Sequence, residues 1–162
     1  MKNTVMLVQA AASAALAYIS ARLGVLFPVL LLLMAMMVVD YITGMMASKA
    51  EAMDHPEDPS LGWNSRKGAK GIIKKVGYLC VIAVAMVADY IIVNVAGSFG
   101  YEMPATAVFG LMVAVWYLLN EMLSVVENAG RMGAPVPEWL GKYIAVLKNK
   151  VEMDKMDKEE KE

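Results

Sequence analysis

VLFPVLLLLMAMMVVDYITGMMAS, residues 25–48, carries no charge until Asp40 and is long enough as a helix to cross a hydrocarbon core of roughly 30 Å with some tilt. An ionised Asp near the centre of such a helix costs about 2.5–3.5 kcal/mol, while each Leu, Ile, Phe or Val returns about 0.3–0.6 kcal/mol. The leucine-rich run before Asp40 therefore offsets the charge, and the segment inserts. The whole chain agrees with this. Its 162 residues are 59% hydrophobic, with a mean hydropathy of +0.51, against roughly 45–50% apolar residues in an ordinary soluble domain. The composition predicts a polytopic membrane protein.

Three further apolar runs lie at 4–21, 72–96 and 105–126. The last two are of spanning length, and Pro104 opens the fourth run where a proline costs no hydrogen bond. The first is borderline, because as a helix it reaches about 27 Å. Gln9, Ser13, Ala17 and Ser20 give it one weakly polar face of small residues, suited to packing on a neighbour. Lys2, the apolar centre and Ala15-Leu16-Ala17 also imitate a signal peptide, but an uncleaved helix is the expectation. The expected fold is thus all-α: three or four hydrophobic helices in a membrane domain over 1–126, then a tail over 127–162. In that tail Trp139, Leu140, Tyr143, Ile144, Leu147 and Val151 fall on one side of a helix at about 137–151, flanked by Lys142, Lys148 and Lys150. This pattern suits an amphipathic helix in the membrane interface, or a partner-helix surface.

Basic residues orient the chain, since Lys and Arg are retained on the cytoplasmic side. The connection 49–71 and the start of the third run carry Lys49, Arg66, Lys67, Lys70, Lys74 and Lys75, whereas 97–103 carries no basic residue. The first connection is expected in the cytoplasm of a bacterial cell, the second outside, and the C-terminus inside. Arg22 is a small violation. The net charge of -1 hides charges gathered in a central segment and a C-terminal tail, with the apolar runs between nearly bare, so nucleic-acid binding is not suggested. Cys80 is the single cysteine, so there is no disulfide framework. The spacing of Asp54, His55, Glu57 and Asp58 in a proline-interrupted loop matches no metal-ligand signature, and no metal or cofactor is expected. No nucleophile–base set, phosphate loop or paired-cysteine motif suggests an enzyme. Gly62, Gly68 and Gly71 read as hinges in the basic segment.

The candidate chemistry lies in the acids of the apolar runs, Asp40, Asp89 and Glu121. Asp40, Thr43 and Gly44 share a helical face, as do Glu121, Ser124 and Asn128, while Asn120 and Glu127 stand seven residues apart. Lys74 and Lys75 enter the third helix at the inner interface, able to snorkel or to reach Asp40 or Glu121. These seams either fix the helices of one protomer to each other, or line a water-filled path or a subunit interface. Arg66, Lys67, Lys70, Lys74 and Lys75 form the basic group beside them. In NEMLSVVENAGRMGAPVPEWL, residues 120–140, the acids carry the fourth helix out of the membrane, and Gly130, Gly133, Pro135 and Pro137 stop it and redirect the chain.

Several blocks in order resemble the phage holins of the toxin-secretion/phage-lysis group, holin family 4: DYITG at 40–44, NSRKGAKGIIKK at 64–75, the acid Asp89 and the 120–140 block. Together they cover about two thirds of the chain. Many members have a shorter leading segment. The resemblance implies a small protein of the bacterial cytoplasmic membrane that forms homo-oligomers in the lipid bilayer. At a set time it opens lesions through which an endolysin or a toxin leaves, with no direct binding of that cargo required; an antiholin is a possible partner. Two other readings stand beside it: a small proton-coupled transporter titrating at Asp40 or Glu121, and an antiholin-like regulator.

Overall fold

A computed structural model describes residues 2–58, 60–102, 108–140, 142, 143 and 146. Four helices follow in order: α1 over Lys2–Leu23, α2 over Leu26–Asp54, α3 over Ser65–Ser98 and α4 over Val108–Arg131. All four are long and apolar enough to cross a membrane. Glu138–Leu140, Lys142, Tyr143 and Val146 are also helical, and the rest of the expected amphipathic helix at 137–151 lies outside the described residues. So do Pro104 and the start of the fourth run.

The helices outrun the apolar segments that suggested them. α2 continues past Ser48 to Asp54. Residues Lys49 to Met53 contain good helix formers, and the first strong breaker is Pro56. α3 begins at Ser65 rather than 72, because Asn64 in extended conformation caps it, accepting the backbone N–H groups of Arg66 at 2.9 Å and Lys67 at 3.4 Å. Gly68 and Gly71 are therefore helical residues rather than hinges. At Gly68 the reason is a close approach, since a Cβ there would stand 3.3 Å from the Tyr41 hydroxyl. α4 runs through Glu127, Asn128 and Gly130 before the chain turns at Gly133.

α4 is the hub. Its longest interface is with α2 and its next with α3, while α1 makes few contacts and has no buried residue. Gly110, Ala114, Glu121 and Asn128 form its buried stripe, at spacings of four and seven. Around Ala114 pack Leu26, Leu33 and Met37 of α2 with Tyr78 and Ile82 of α3. The Tyr78 ring stacks on Tyr117 with centroids 3.9 Å apart. In lipid no hydrophobic drive holds helices together, so small residues that admit close van der Waals packing matter more than bulk. At Gly110 a Cβ would fall 2.9 Å from Met86 Cγ and 3.5 Å from Leu26 Cδ2, which only glycine avoids.

α3, with 34 residues, is about 50 Å long, well beyond a hydrocarbon core of roughly 30 Å. Its basic first turns project past the core, level with the last turns of α2 and α4. Between α2 and α3, Asp58 Oδ1 accepts the Ser60 N–H at 2.8 Å in a solvated turn, and hydrogen bonding from Ser60 holds the Asp58 carboxyl below its ordinary range.

Candidate functional site

Two polar sites pin α4, one near each end. At its N-terminus Asp89 of α3, 8% exposed, accepts the backbone N–H groups of Phe109 at 2.9 Å and Gly110 at 2.8 Å. The first N–H groups of a helix have no partner within it, and the N-terminal end of its dipole favours a carboxylate. In this protein the cap comes from another helix, so the same two bonds also fix α3 against α4.

The second site is larger. Lys75 of α3 donates from Nζ to Asp40 Oδ2 of α2 at 2.8 Å and to Glu121 Oε2 of α4, so one ammonium joins three helices. The three side chains are 14%, 19% and 4% exposed, respectively. Charges so withdrawn from water persist only if paired and hydrogen-bonded. The other carboxylate oxygen of Asp40 accepts from Asn128 Nδ2 at 3.0 Å, and the same amide donates to Thr43 Oγ1 at 3.2 Å. Thr43 in turn donates to the Asp40 carbonyl at 3.1 Å. Arg131 Nη1 donates to Asn128 Oδ1 at 3.0 Å, and Arg131 clasps Glu51 through Nε and Nη2, both at 2.8 Å. A hydrogen-bonded chain thus runs from Glu51 at the end of α2 to the buried Glu121. Among the described residues no buried side-chain nitrogen or oxygen lacks a partner.

Of the residues singled out in the sequence, Asp40, Thr43, Glu121, Asn128 and Lys75 meet in this cluster, with Gly44 against the Asn128 amide. Ser124 and Glu127 line a cavity beside it. Asn120 is half-buried and takes no part in the cluster's hydrogen bonds. Asp89 is on its own at the far end. Arg66, Lys67 and Lys70 are exposed on α3, and Lys74 lies over the Tyr78 ring at 5.6 Å. His55 and Glu57 approach to 3.6 Å in the exposed connection. Sequence reasoning missed Glu51 and Arg131. The signal for Glu51 was the absence of any breaker before Pro56, which extends α2 far enough to carry it.

The cavity, of about 530 Å³, lies among the ends of α2, α3 and α4 that carry the cluster. Tyr41, Trp63, Lys67 and Arg131 are among its lining residues.

Four apolar helices, three of them tied by interior charges, define a polytopic membrane protein whose bundle is held by polar contacts as well as by packing. Residues 17–149 match the bacteriophage holin family, and the chain belongs to it. It is a holin-like protein of the bacterial inner membrane. It is 35% identical over 117 residues to an uncharacterized protein of Halalkalibacterium halodurans, covering 72% of this chain and 76% of the relative. An uncharacterized protein of Listeria innocua is 35% identical over 130 residues, 78% of either chain. An uncharacterized 14.9 kDa protein in the nagH 3' region of Clostridium perfringens is 34% identical over 86 residues, 53% of this chain and 58% of its own. No solved structure matches.

Proposed function

We propose that the chain is a holin proper: it accumulates in the cytoplasmic membrane, forms homo-oligomers, and opens lesions that release an endolysin or a toxin. The observation that carries this reading is the Lys75 cluster. Its groups are satisfied within one protomer, which lets the protein accumulate as a closed bundle. The same groups, exchanged between subunits or turned toward water, can line a lesion that lipid alone would not tolerate. Asp40, Thr43, Gly44, Glu121, Ser124 and Asn128 are the residues proposed to make that exchange, with Asn120 and Glu127 beside them on α4 and Asp89 joining from the far end of the helix. A transporter would need a discrete midplane pocket, whereas the cavity lies among helix ends.

Glu121→Gln tests the reading. Removing this charge makes insertion of α4 easier, so any change in lysis cannot come from failure to insert. The substitution weakens the α3–α4 link and leaves the Lys75–Asp40 pair. A charge-assisted hydrogen bond contributes about 1.5–3 kcal/mol, enough to shift a closed–open ratio about tenfold or more. Lysis should begin earlier in cells carrying a cytoplasmic hydrolase, at membrane-fraction abundance within about twofold of the parent. An unchanged schedule at equal abundance would falsify the role given to the cluster.

The proposed orientation places the α2–α3 connection and the C-terminus in the cytoplasm, on the basic residues between Lys49 and Lys75. In a background with Cys80 replaced by serine, a membrane-impermeant thiol reagent applied to intact cells should label cysteine placed at Ser98 and spare cysteine placed at Ser60. Labelling at Ser60 alone means the inverse topology.

A further inference from the structure

The cavity beside the cluster is left unexplained by the bonds that pin the helices. The geometry points to a binding site for the phosphodiester headgroup of an anionic membrane lipid, held by Lys67 and Arg131 and flanked by Tyr41 and Trp63. A volume of about 530 Å³ is in the range of small-ligand sites, roughly 300–1,000 Å³. Hydrogen-bonding capacity decides which ligand chemistry fits. Both Asp40 oxygens are already taken, by Lys75 and Asn128. Arg131 engages Nε, Nη1 and Nη2 once each, leaving two of the five N–H donors of a guanidinium. The Lys67 ammonium, the Trp63 indole N–H and the Tyr41 hydroxyl add further donors to the lining. Of the lining cations Lys67, Lys75 and Arg131, Lys75 is already paired with Asp40 and Glu121 and Arg131 with Glu51, so donor capacity rather than net charge marks the cleft. A cleft rich in unspent donors suits an oxyanion.

The amides opening α3 are not the ligand's partners, since Asn64 already accepts from Arg66 and Lys67; the side chains carry the site. Depth indicates the source of the phosphate. The first turns of α3 extend past the hydrocarbon, and Trp63, 71% exposed, is of the type enriched at the headgroup level. There the bilayer itself presents phosphodiesters. The inference stands on the cleft and its depth and does not require that the protein form lesions.

The test compares two charge reversals on neighbouring turns of one helix. Lys67 lines the cleft and Lys70 does not, although both are exposed and basic. The full chain is reconstituted in nanodiscs of phosphatidylcholine carrying graded phosphatidylglycerol, and retained phosphatidylglycerol is counted by native mass spectrometry. Lys67→Glu should weaken retention by about tenfold or more, as expected for losing a charge-assisted contact. Lys70→Glu should change it less than about threefold, as expected for a screened surface charge, and Lys67→Arg should keep it. Equal losses in K67E and K70E, or none in K67E while the protein remains helical, overturn the site. Inorganic phosphate and glycerol phosphate, added at millimolar concentration, should not displace the lipid. Displacement by either would assign the cleft to a soluble phosphate and overturn the lipid as its occupant.

Discussion

Lys75→Met should strip the bundle of a large share of its stability. The change removes the only cation bonded to both Asp40 and Glu121 among the described residues, leaving two withdrawn carboxylates without their counter-ion. Breaking one side of a buried pair costs about 3–5 kcal/mol, against total stabilities of about 5–15 kcal/mol for folded domains. Membrane-fraction abundance should fall several-fold, and the detergent-solubilised protein should aggregate at a lower temperature. The double variant Lys75→Met with Glu121→Gln should recover part of both, because one stranded charge has gone and Asp40 still accepts from Asn128. If the single variant accumulates and melts like the parent, the cluster contributes nothing to the closed bundle.

The second large effect is expected at the other end of α4. Asp89→Ala leaves the N–H groups of Phe109 and Gly110 without the acceptor they now share. A lost cap and two lost bonds to a carboxylate together cost about 2–4 kcal/mol. Asp89→Asn should lose less, since its amide retains one oxygen acceptor. Hydrogen exchange distinguishes this from a general loosening: peptides spanning the first turns of α4 should exchange faster in D89A, while those around Tyr78 and Ile82 change little. Equal protection in the parent and D89A would mean that the carboxylate does not hold the helix end.

Membrane character and the three longer apolar helices were legible because both depend on composition over some twenty residues, a scale at which sequence carries information without tertiary context, whereas the shorter first run left the count at three or four. Helix ends were not legible to the same degree. Residues 65–71, with three basic residues and two glycines, look like a loop until Asn64 is seen capping them. The faces holding Asp40 with Thr43, and Glu121 with Asn128, followed from helical spacing alone. Which lysine joins the two acids did not. Lys74 and Lys75 differ by about 100° around the helix, and only the packing of α3 on α4 turns Lys75 into the cluster and Lys74 over Tyr78. The role of Asp89 left no trace in the sequence because its partners are backbone amides, which every helix start offers. The Glu51–Arg131 clasp joins residues 80 positions apart, and no local pattern announces such a pair.

α1, in which no residue is buried, divides the molecule thermodynamically. A helix inserted in a bilayer is stable there before it meets any neighbour, and association is a separate and weaker step. α2, α3 and α4 have taken that second step within the protomer. α1 has barely begun it, with Leu23 of its last turn packed against the core, so its position depends more on bilayer thickness and on its own length than on the interior of the protein. Substitutions along Val5 to Ile19 should accordingly be read as changes in partitioning into lipid, measured in transfer free energies, whereas the same substitutions along α4 report on the packing of the bundle.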